Sequence, residues 1–362
     1  MYLDLNRFIY FARINADADA SSIPEGTRDL LEAARRACRE QRAAFPLSGE
    51  HIWELGGIKD PAQRSNIADV MEELSGFQYL MGRTSLAHLE AEAGLQDVYG
   101  ETRGDLPLLP LIRPTFGWAF GMRGGIVIRD ADGNDVSEQS RREMGDEKYT
   151  RFMTYASRTM ERAMLDGPSD EEEPALRAEY GYQPEKARQS QLSRLAFDAD
   201  YTHTLDAHPK WRRGRLRDAI AAREFAHEWL DTLNRINADR AARGLPSNPS
   251  DDDMRRLMAG MPHVQVAISM KTRYHRDRNH RWTTNDIVDI DALSVAYAYC
   301  DAVFTDRAAR AALANSRELR PFGTYLPRTP KELADWLDRL PTSSAPEMMV
   351  PASGRRFPLQ SD

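Results

Sequence analysis

The sequence feature that most restricts the fold is a group of acidic residues beside apolar segments near the C-terminus. Asp286, Asp289 and Asp291 lie at the start of a helical pattern, and a short apolar run, Ala302–Phe304, leads to Asp306. Carboxylates beside buried structure are costly unless a positive charge or hydrogen bonds compensate them. Hard divalent cations such as Mg²⁺ take oxygen ligands. We therefore expect a metal site here, provided that the rest of the chain supplies matching acids.

Matching acids occur at the other end of the chain. A minimal strand pattern leads to Asp4, and a second one, Phe45–Leu47, is followed by Ser48, a suitable helix N-cap. Glu50 and Glu54 then lie one helical turn apart on the same face. In α/β proteins, ligands collect at the carboxyl ends of the strands. We expect the acids from both ends of the chain to meet at such an edge.

The order of these motifs resembles that of the PIN-like nuclease family. The matching segments are Leu3-Asp4-Leu5-Asn6, then Leu47-Ser48 with Glu54, then the acids before Leu293 and Ala296, and finally Val303-Phe304-Thr305-Asp306. Leu5 stands where the family has a small hydroxyl residue. The resemblance covers roughly residues 1–80 and 260–340. It implies an α/β fold with a PIN-like parallel sheet flanked by helices.

The resemblance also implies a division of the chain. Residues 1–95 and 261–340 would form a discontinuous nuclease core, 96–260 a large, mostly helical insertion, and 341–362 a flexible tail. Inside these regions, His263–Ile268 alternates like a strand, and a long helix from about Leu216 to Ala242 carries an apolar face. That face predicts packing on the core or on a partner protein.

The resemblance implies a set of acidic metal ligands and a cofactor. The ligands would be Asp4, Glu54, Asp289 and Asp306, with Asp286 and Asp291 as alternatives at the third position and Glu50 as the less favoured alternative to Glu54. Mg²⁺ or Mn²⁺ would be the cofactor, since either can neutralise charge on a phosphodiester and acidify the attacking water. The structural alternatives are helix capping for the three C-terminal aspartates, a turn role for Asp4 and a solvated helix face for the glutamates.

These features predict a metal-dependent endoribonuclease that hydrolyses RNA phosphodiester bonds to a 5′-phosphate and a 3′-hydroxyl. A toxin or defence role is common in the resembled family. Two other functions stay open: a structure-specific DNA nuclease, and a non-catalytic PIN-like interaction protein that uses the long helix as its contact surface.

Cations for the RNA backbone must come from local patches, because the net charge of the chain is −7. The first patch runs directly into the acidic motif and contains Lys271, Arg273, Arg276, Arg278 and Arg281, interleaved with Tyr274 and Trp282. These aromatic rings are candidates for stacking on bases. The second patch is Lys210–Arg217. A solvated loop is the structural alternative for each patch.

Composition indicates a cytoplasmic protein with a sizeable core. The 362 residues are 41% hydrophobic, and no apolar run approaches the length of a membrane helix. The two cysteines, Cys38 and Cys300, lie in apolar helical patterns and are predicted to be free thiols in a reducing compartment. We expect two partners, namely RNA and a protein that docks on the insertion, and no association with a membrane. Whether the chain forms a homo-oligomer stays open.

Overall fold

The protein is mostly helical. The computed structural model describes residues 1–17, 20–101, 108–169, 171–179, 181–342 and 349–350. Helix accounts for 69% of the structure and strand for 5%. The predicted α/β class, with a PIN-like parallel sheet flanked by helices, is therefore wrong. Each strand has only two or three residues, so helices rather than a sheet cover the apolar surface of the core.

The secondary structure consists of α-helices, one π-helical turn, short 3₁₀ turns and short strands, counted over the described residues. The α-helices are α1 (Leu5–Asn15), α2 (Thr27–Arg39), α3 (Gly49–Gly56), α4 (Pro61–Ser75), α5 (Arg83–Tyr99), α6 (Ser137–Met144), α7 (Asp146–Asp166), α8 (Glu173–Glu179), α9 (Pro184–Ala207), α10 (Pro209–Gly214), α11 (Leu216–Glu224), α12 (Leu230–Ala242), α13 (Asp251–Ala259), α14 (Pro262–Arg276), α15 (Thr284–Tyr299), α16 (Arg307–Ala314) and α17 (Pro330–Arg339). A π-helical turn, Phe225–Trp229, joins α11 to α12, and 3₁₀ turns span Ala20–Ser22, Phe116–Phe120 and Arg317–Phe322. The strands are β1 (Tyr2–Leu3), β2 (Gln78–Leu80), β3 (Leu109–Pro110), β4 (Ile112–Pro114), β5 (Val303–Phe304) and β6 (Met349–Val350).

The parallel pair β1–β5 joins the two ends of the chain. Tyr2 pairs with Val303, and Leu3 pairs with Phe304. β2 and β4 form an antiparallel pair, as do β3 and β6. Because β1 and β5 run in the same direction and in register, the residues after them, Asp4 and Thr305, leave the sheet side by side.

The segment predicted as a strand, His263–Ile268, is instead the first part of α14. Pro262 occupies the first turn of this helix, where its missing N–H costs nothing. All residues from 262 to 272 are buried. A helix that is buried on every side lacks the usual period of 3.6 residues, so a short alternation of apolar residues indicated the wrong element.

Two hydrophobic clusters organise the helices. The larger one combines β1, α1 to α4, α15, β5, α16 and α17, and the described N-terminal and C-terminal parts of the chain meet in it. The smaller one packs Trp229 of the π-helical turn and Leu233 and Ile236 of α12 against Ala91 of α5 and Ile268 of α14. The apolar face of the long helix thus lies against the core of the same chain.

Several other predictions concern the ends and the thiols of the chain. Cys38 and Cys300 are not joined in a disulfide, as predicted; Cys300 is buried, and Cys38 is partly buried. Of the predicted tail 341–362, residues 343–348 and 351–362 lie outside the described residues. No helix in the described ranges combines the length and apolar character needed to cross a membrane.

Candidate metal centre

Asp4 and Asp306 lie at the adjacent carboxyl ends of β1 and β5. Asp4 is the N-cap of α1, and its Oδ1 accepts a hydrogen bond from the Asn6 N–H at 3.4 Å. Asp306 is the N-cap of α16, and its Oδ1 accepts from the Ala309 N–H at 2.8 Å. Thr305 Oγ1, between them, donates to Asp4 Oδ2 at 3.5 Å. The strand pairing thus brings two carboxylates and two helix N-termini together.

A buried histidine fixes α3 against β1. Ser48 is the predicted N-cap, and its N–H donates to His51 Nδ1 at 3.0 Å. His51 Nε2 therefore carries the proton, and it donates to the Leu3 carbonyl at 2.7 Å. Burial lowers the pKa of His51 to about 4, so the ring stays neutral. This link holds α3, which carries Glu50 and Glu54, next to the end of β1.

Burial and nearby negative charges raise the pKa values of three acids, Glu54, Asp289 and Asp4, and the charge of Asp306 acts on two of them. Burial, together with the charges of Asp4, Asp289 and Glu50, raises the pKa of Glu54 to about 8. Burial and the charges of Asp4, Asp306 and Asp286 raise the pKa of Asp289 to about 8. Burial and the charge of Asp306 also raise the pKa of Asp4.

Positive charge in this region comes from Arg7. Its guanidinium lies 4.0 Å from the centre of the Phe304 ring, donates to the Thr305 carbonyl at 3.2 Å, and acts on both Asp4 and Asp306. The carboxylates of Glu54 and Asp289 have no hydrogen bond or ion pair with another residue in the described ranges. These two carboxylates are half-buried without a compensating cation.

The other acids considered for the site are engaged elsewhere. Asp286 closes a capping box, in which its Oδ2 accepts from Thr283 N at 2.7 Å and from Thr283 Oγ1 at 2.8 Å. Asp291 Oδ1 accepts from Arg194 Nη2 at 2.8 Å. Asp286 and Asp291 are thus engaged with other residues, whereas the Asp289 carboxylate is not; the identity of the third ligand stays a prediction, with Asp289 favoured. Glu50 lies beside Asp291, which together with burial raises the pKa of Glu50.

The acids do not form a finished coordination sphere. Within the part of the chain that the structure describes, no group of three or more His, Cys, Asp or Glu side chains is arranged to hold a metal ion. Asp4, Glu54, Asp289 and Asp306 therefore interact through their charges, without the short mutual distances of ligands around one cation.

The first cationic patch divides into a buried part and an exposed part. Arg276, Arg278 and Arg281 are exposed, and they lie at the end of α14 or in the loop that leads to α15. Arg273 is half-buried. Lys271 is fully buried, with Nζ 2.6 Å from Glu224 Oε2, so the prediction that it contacts the RNA backbone is wrong. For the exposed neighbours Arg276, Arg278 and Arg281, contact with RNA stays a prediction.

Tyr274 was predicted to stack on bases, but the structure gives it another position. Its side chain is buried, and its ring stacks on His280 with the ring centres 4.7 Å apart. Burial and the charges of Asp289, Asp286 and Asp306 raise the pKa of Tyr274. Sequence reasoning missed this residue as a member of the site, although its proximity to the acidic motif was a signal.

The second cationic patch, Lys210–Arg217, is partly occupied by contacts within the protein. Arg212 forms an ion pair with Asp206 at 2.8 Å, and Arg217 donates to Gln265 Oε1 at 2.6 Å. These contacts tie α10 and α11 to their neighbours and leave Lys210, Arg213 and Arg215 exposed.

Comparison of the chain with protein-family models, with curated proteins and with solved structures finds no match. The case for a function therefore depends on the geometry and charge of the site itself.

The raised pKa values predict a pH dependence of stability. In the unfolded chain, Glu54 and Asp289 would titrate near ~4, whereas in the fold their pKa values are about 8. The folded state binds more protons between these values, so the unfolding free energy should fall as the pH rises through this window. We expect the EDTA-treated protein to be less stable at about pH 8 than at about pH 5.5 in urea unfolding.

Glu54→Gln removes one of the two groups and should reduce this fall in stability. Glu25→Gln, at an exposed position outside the site, is the matched control and should leave the fall unchanged. Equal pH profiles for the wild type and Glu54→Gln would contradict the assigned electrostatics.

Proposed function

We propose that this chain is a metal-dependent ribonuclease, in which Asp4, Glu54, Asp289 and Asp306 hold Mg²⁺ or Mn²⁺. The observation that carries the proposal is the mutual electrostatic influence of these four acids, which come from distant parts of the chain, with Arg7 as the cation that acts on Asp4 and Asp306. A group of uncompensated carboxylates is stable at neutral pH only if some remain protonated or a cation binds.

The chemistry of the donors fits a hard divalent cation. All four side chains offer carboxylate oxygens, which Mg²⁺ and Mn²⁺ prefer. When bound, the ion would supply positive charge for a phosphodiester under attack and would acidify the attacking water. Since the side chains do not yet converge on one point, ligation requires them to rotate toward the ion. The order of the acids, which resembles that of PIN-like nucleases, supports a phosphodiester as the substrate.

The remaining groups of the site suit an anionic polymer. The N-termini of α1 and α16 lie at Asp4 and Asp306, and helix N-termini favour phosphate oxygens. Arg7 limits the repulsion between the acids and an incoming phosphate. Arg276, Arg278 and Arg281 are exposed beside the acids of α15 and would hold the RNA backbone.

The proposal is tested by incubating the purified protein with single-stranded RNA, tRNA and branched DNA, with Mn²⁺ or with EDTA. We expect Mn²⁺-dependent cleavage of RNA, with 5′-phosphate ends. Cleavage of branched DNA alone would favour the DNA nuclease. No cleavage of any substrate, combined with no rise in melting temperature on addition of Mn²⁺, would favour a non-catalytic interaction protein.

Arg278→Ala should weaken RNA binding by removing one contact to a phosphate. We expect the slope of log affinity against log salt concentration to fall by roughly one. The measurement is fluorescence anisotropy with a labelled RNA at several salt concentrations, in Ca²⁺ to limit cleavage. Arg188→Ala, which changes an exposed arginine on α9, is the control and should retain the full slope. Identical slopes for the two variants would show that the loop between α14 and α15 is not part of the RNA interface.

A further inference from the structure

Two arginines outside α15 hold Asp291, two residues after the candidate ligand Asp289. Arg194, on α9 of the insertion, makes a bidentate contact: Nη1 lies 2.5 Å from Asp291 Oδ2, and Nη2 lies 2.8 Å from Oδ1. Arg83, at the start of α5, places Nε 3.3 Å from Asp291 Oδ1. The Asp291 side chain is 13% exposed, so these contacts are largely shielded from solvent.

The same two arginines hold Glu228, which closes a ring of four charged side chains. Arg194 Nε lies 3.1 Å from Glu228 Oε1, and Arg83 Nη2 lies 3.2 Å from Glu228 Oε2. Glu228 belongs to the π-helical turn Phe225–Trp229 and is 6% exposed. π-Helical turns inside α-helices frequently occur at functional sites. The insertion thus contributes Arg194 and Glu228 to this ring, and Asp291 on α15 is the member of the ring that lies next to the candidate site.

The ring is part of a larger buried network that is balanced in charge. Its cations are Arg83, Arg194, Arg223 and Lys271, and its acids are Asp198, Glu224, Glu228 and Asp291. Buried ion pairs contribute little net stability compared with apolar packing, but breaking one leaves a costly unpaired charge. A network of this kind therefore imposes a particular arrangement of helices.

The helices whose relative position matters for the candidate metal centre are α3 and α15. α3 and α15 pack in the same hydrophobic cluster, through Leu55 on α3 and Ile290 and Leu293 on α15, and α3 carries Glu50 and Glu54. Consecutive residues of a helix are rotated by about 100°, so Asp289 and Asp291, two residues apart, point to nearly opposite sides of α15, about 160° apart. Fixing Asp291 on one side of α15 therefore fixes where Asp289 points.

We propose that Arg194 is a positioning residue for the candidate metal centre: by clamping Asp291, it holds α15 in the rotation that presents Asp289 to Glu54 and Asp4. This inference depends on the proposed metal-dependent function. It gives the insertion a role in the centre, although Arg194 itself does not contact the candidate ligands. Loss of a residue that orients metal ligands lowers metal affinity by about 10- to 100-fold.

The alternative is that Arg194 merely attaches the insertion to the core. Arg217 provides the matched comparison, because it attaches α11 to the core without contacting α15. Its Nη1 lies 2.8 Å from Ser269 Oγ and 3.1 Å from Glu318 Oε1. Arg194→Gln and Arg217→Gln should both lower the melting temperature, but only Arg194→Gln should change the metal centre.

The experiment is calorimetric titration of Mn²⁺ into the wild type, Arg194→Gln, Arg194→Lys and Arg217→Gln, each shown by circular dichroism to be folded at the assay temperature. We expect the dissociation constant to rise by about 10-fold or more in Arg194→Gln and by less than about 2-fold in Arg217→Gln. Arg194→Lys keeps the charge but loses the bidentate geometry, so its affinity should lie between those of the wild type and Arg194→Gln.

The possible outcomes distinguish a failure of the positioning role of Arg194 from a failure of the proposed metal-dependent function. If the wild type binds Mn²⁺ and both glutamine variants bind it equally well, the positioning role is overturned while the metal centre stands. If the wild type does not bind Mn²⁺, the proposed function fails and the positioning role fails with it. If Arg194→Gln does not fold, an affinity of Arg194→Lys equal to that of the wild type contradicts the role, and a weaker affinity supports it.

Discussion

Asp4→Asn should reduce Mn²⁺-dependent cleavage of RNA by about 100-fold or more, since a bound metal contributes several kcal/mol to transition-state stabilisation. Asparagine is also a good N-cap, so α1 should keep its start and the variant should fold. The substitution removes a charge that repels Glu54 and Asp289, and we therefore expect the metal-free variant to be at least as stable as the wild type. Initial rates on a labelled RNA and thermal melts in EDTA measure the two effects.

Asp301→Asn is the matched control for this prediction. Asp301 is exposed and precedes β5, whereas the candidate ligand Asp306 follows it. The control should cleave RNA at the rate of the wild type. Equal rates for Asp4→Asn and the wild type would remove Asp4 from the catalytic centre, and equal losses in both variants would indicate a general effect of charge.

Lys271→Met should lower the free energy of unfolding by about 3–5 kcal/mol, because it leaves acids of the buried network without a partner. Lys271 is fully buried, and its Nζ lies 2.6 Å from Glu224 Oε2 and 3.7 Å from Asp198 Oδ2. Methionine has a similar length and no charge, so the loss of the charge is the main change. Urea unfolding monitored by tryptophan fluorescence gives the difference in free energy.

Lys331→Met provides a control with the same change of residue at the surface. Lys331 on α17 forms an exposed i,i+4 pair with Asp335 at 2.8 Å. Exposed ion pairs contribute little to the free energy of unfolding, so the urea concentration at the midpoint of unfolding should be the same as in the wild type. A change in Lys271→Met no larger than that in Lys331→Met would show that solvent reaches the network and that its charges are not buried.

The sequence predicted the parts of the site that depend on local signals. The position of Asp4 after a short strand, the capping of α3 by Ser48 and the position of Asp306 after Val303–Phe304 all follow from patterns a few residues long. The pairing of β1 with β5 is a finding of the structure, and the expectation that the acids from both ends of the chain meet at one edge stays a prediction.

The parts that could not be predicted depend on contacts with distant residues. The short strands indicated a sheet, but helices cover them, and strand length alone does not fix how far a sheet extends. Lys271 resembled a member of a surface patch because its partners, Asp198 and Glu224, lie in the insertion. Asp291 resembled a metal ligand for the same reason, since Arg194 is almost a hundred residues away (|i−j| = 97).

The most direct test of the proposed centre is anomalous diffraction from crystals of the wild-type protein grown with Mn²⁺. We expect an anomalous peak at the carboxyl ends of β1 and β5, with carboxylate oxygens of Asp4 and Asp289, and of Glu54 or Asp306, at about 2.0–2.2 Å. A fully occupied Mn²⁺ elsewhere on the protein, with Asp4, Glu54 and Asp289 pointing into separate solvent, would contradict the proposed metal centre.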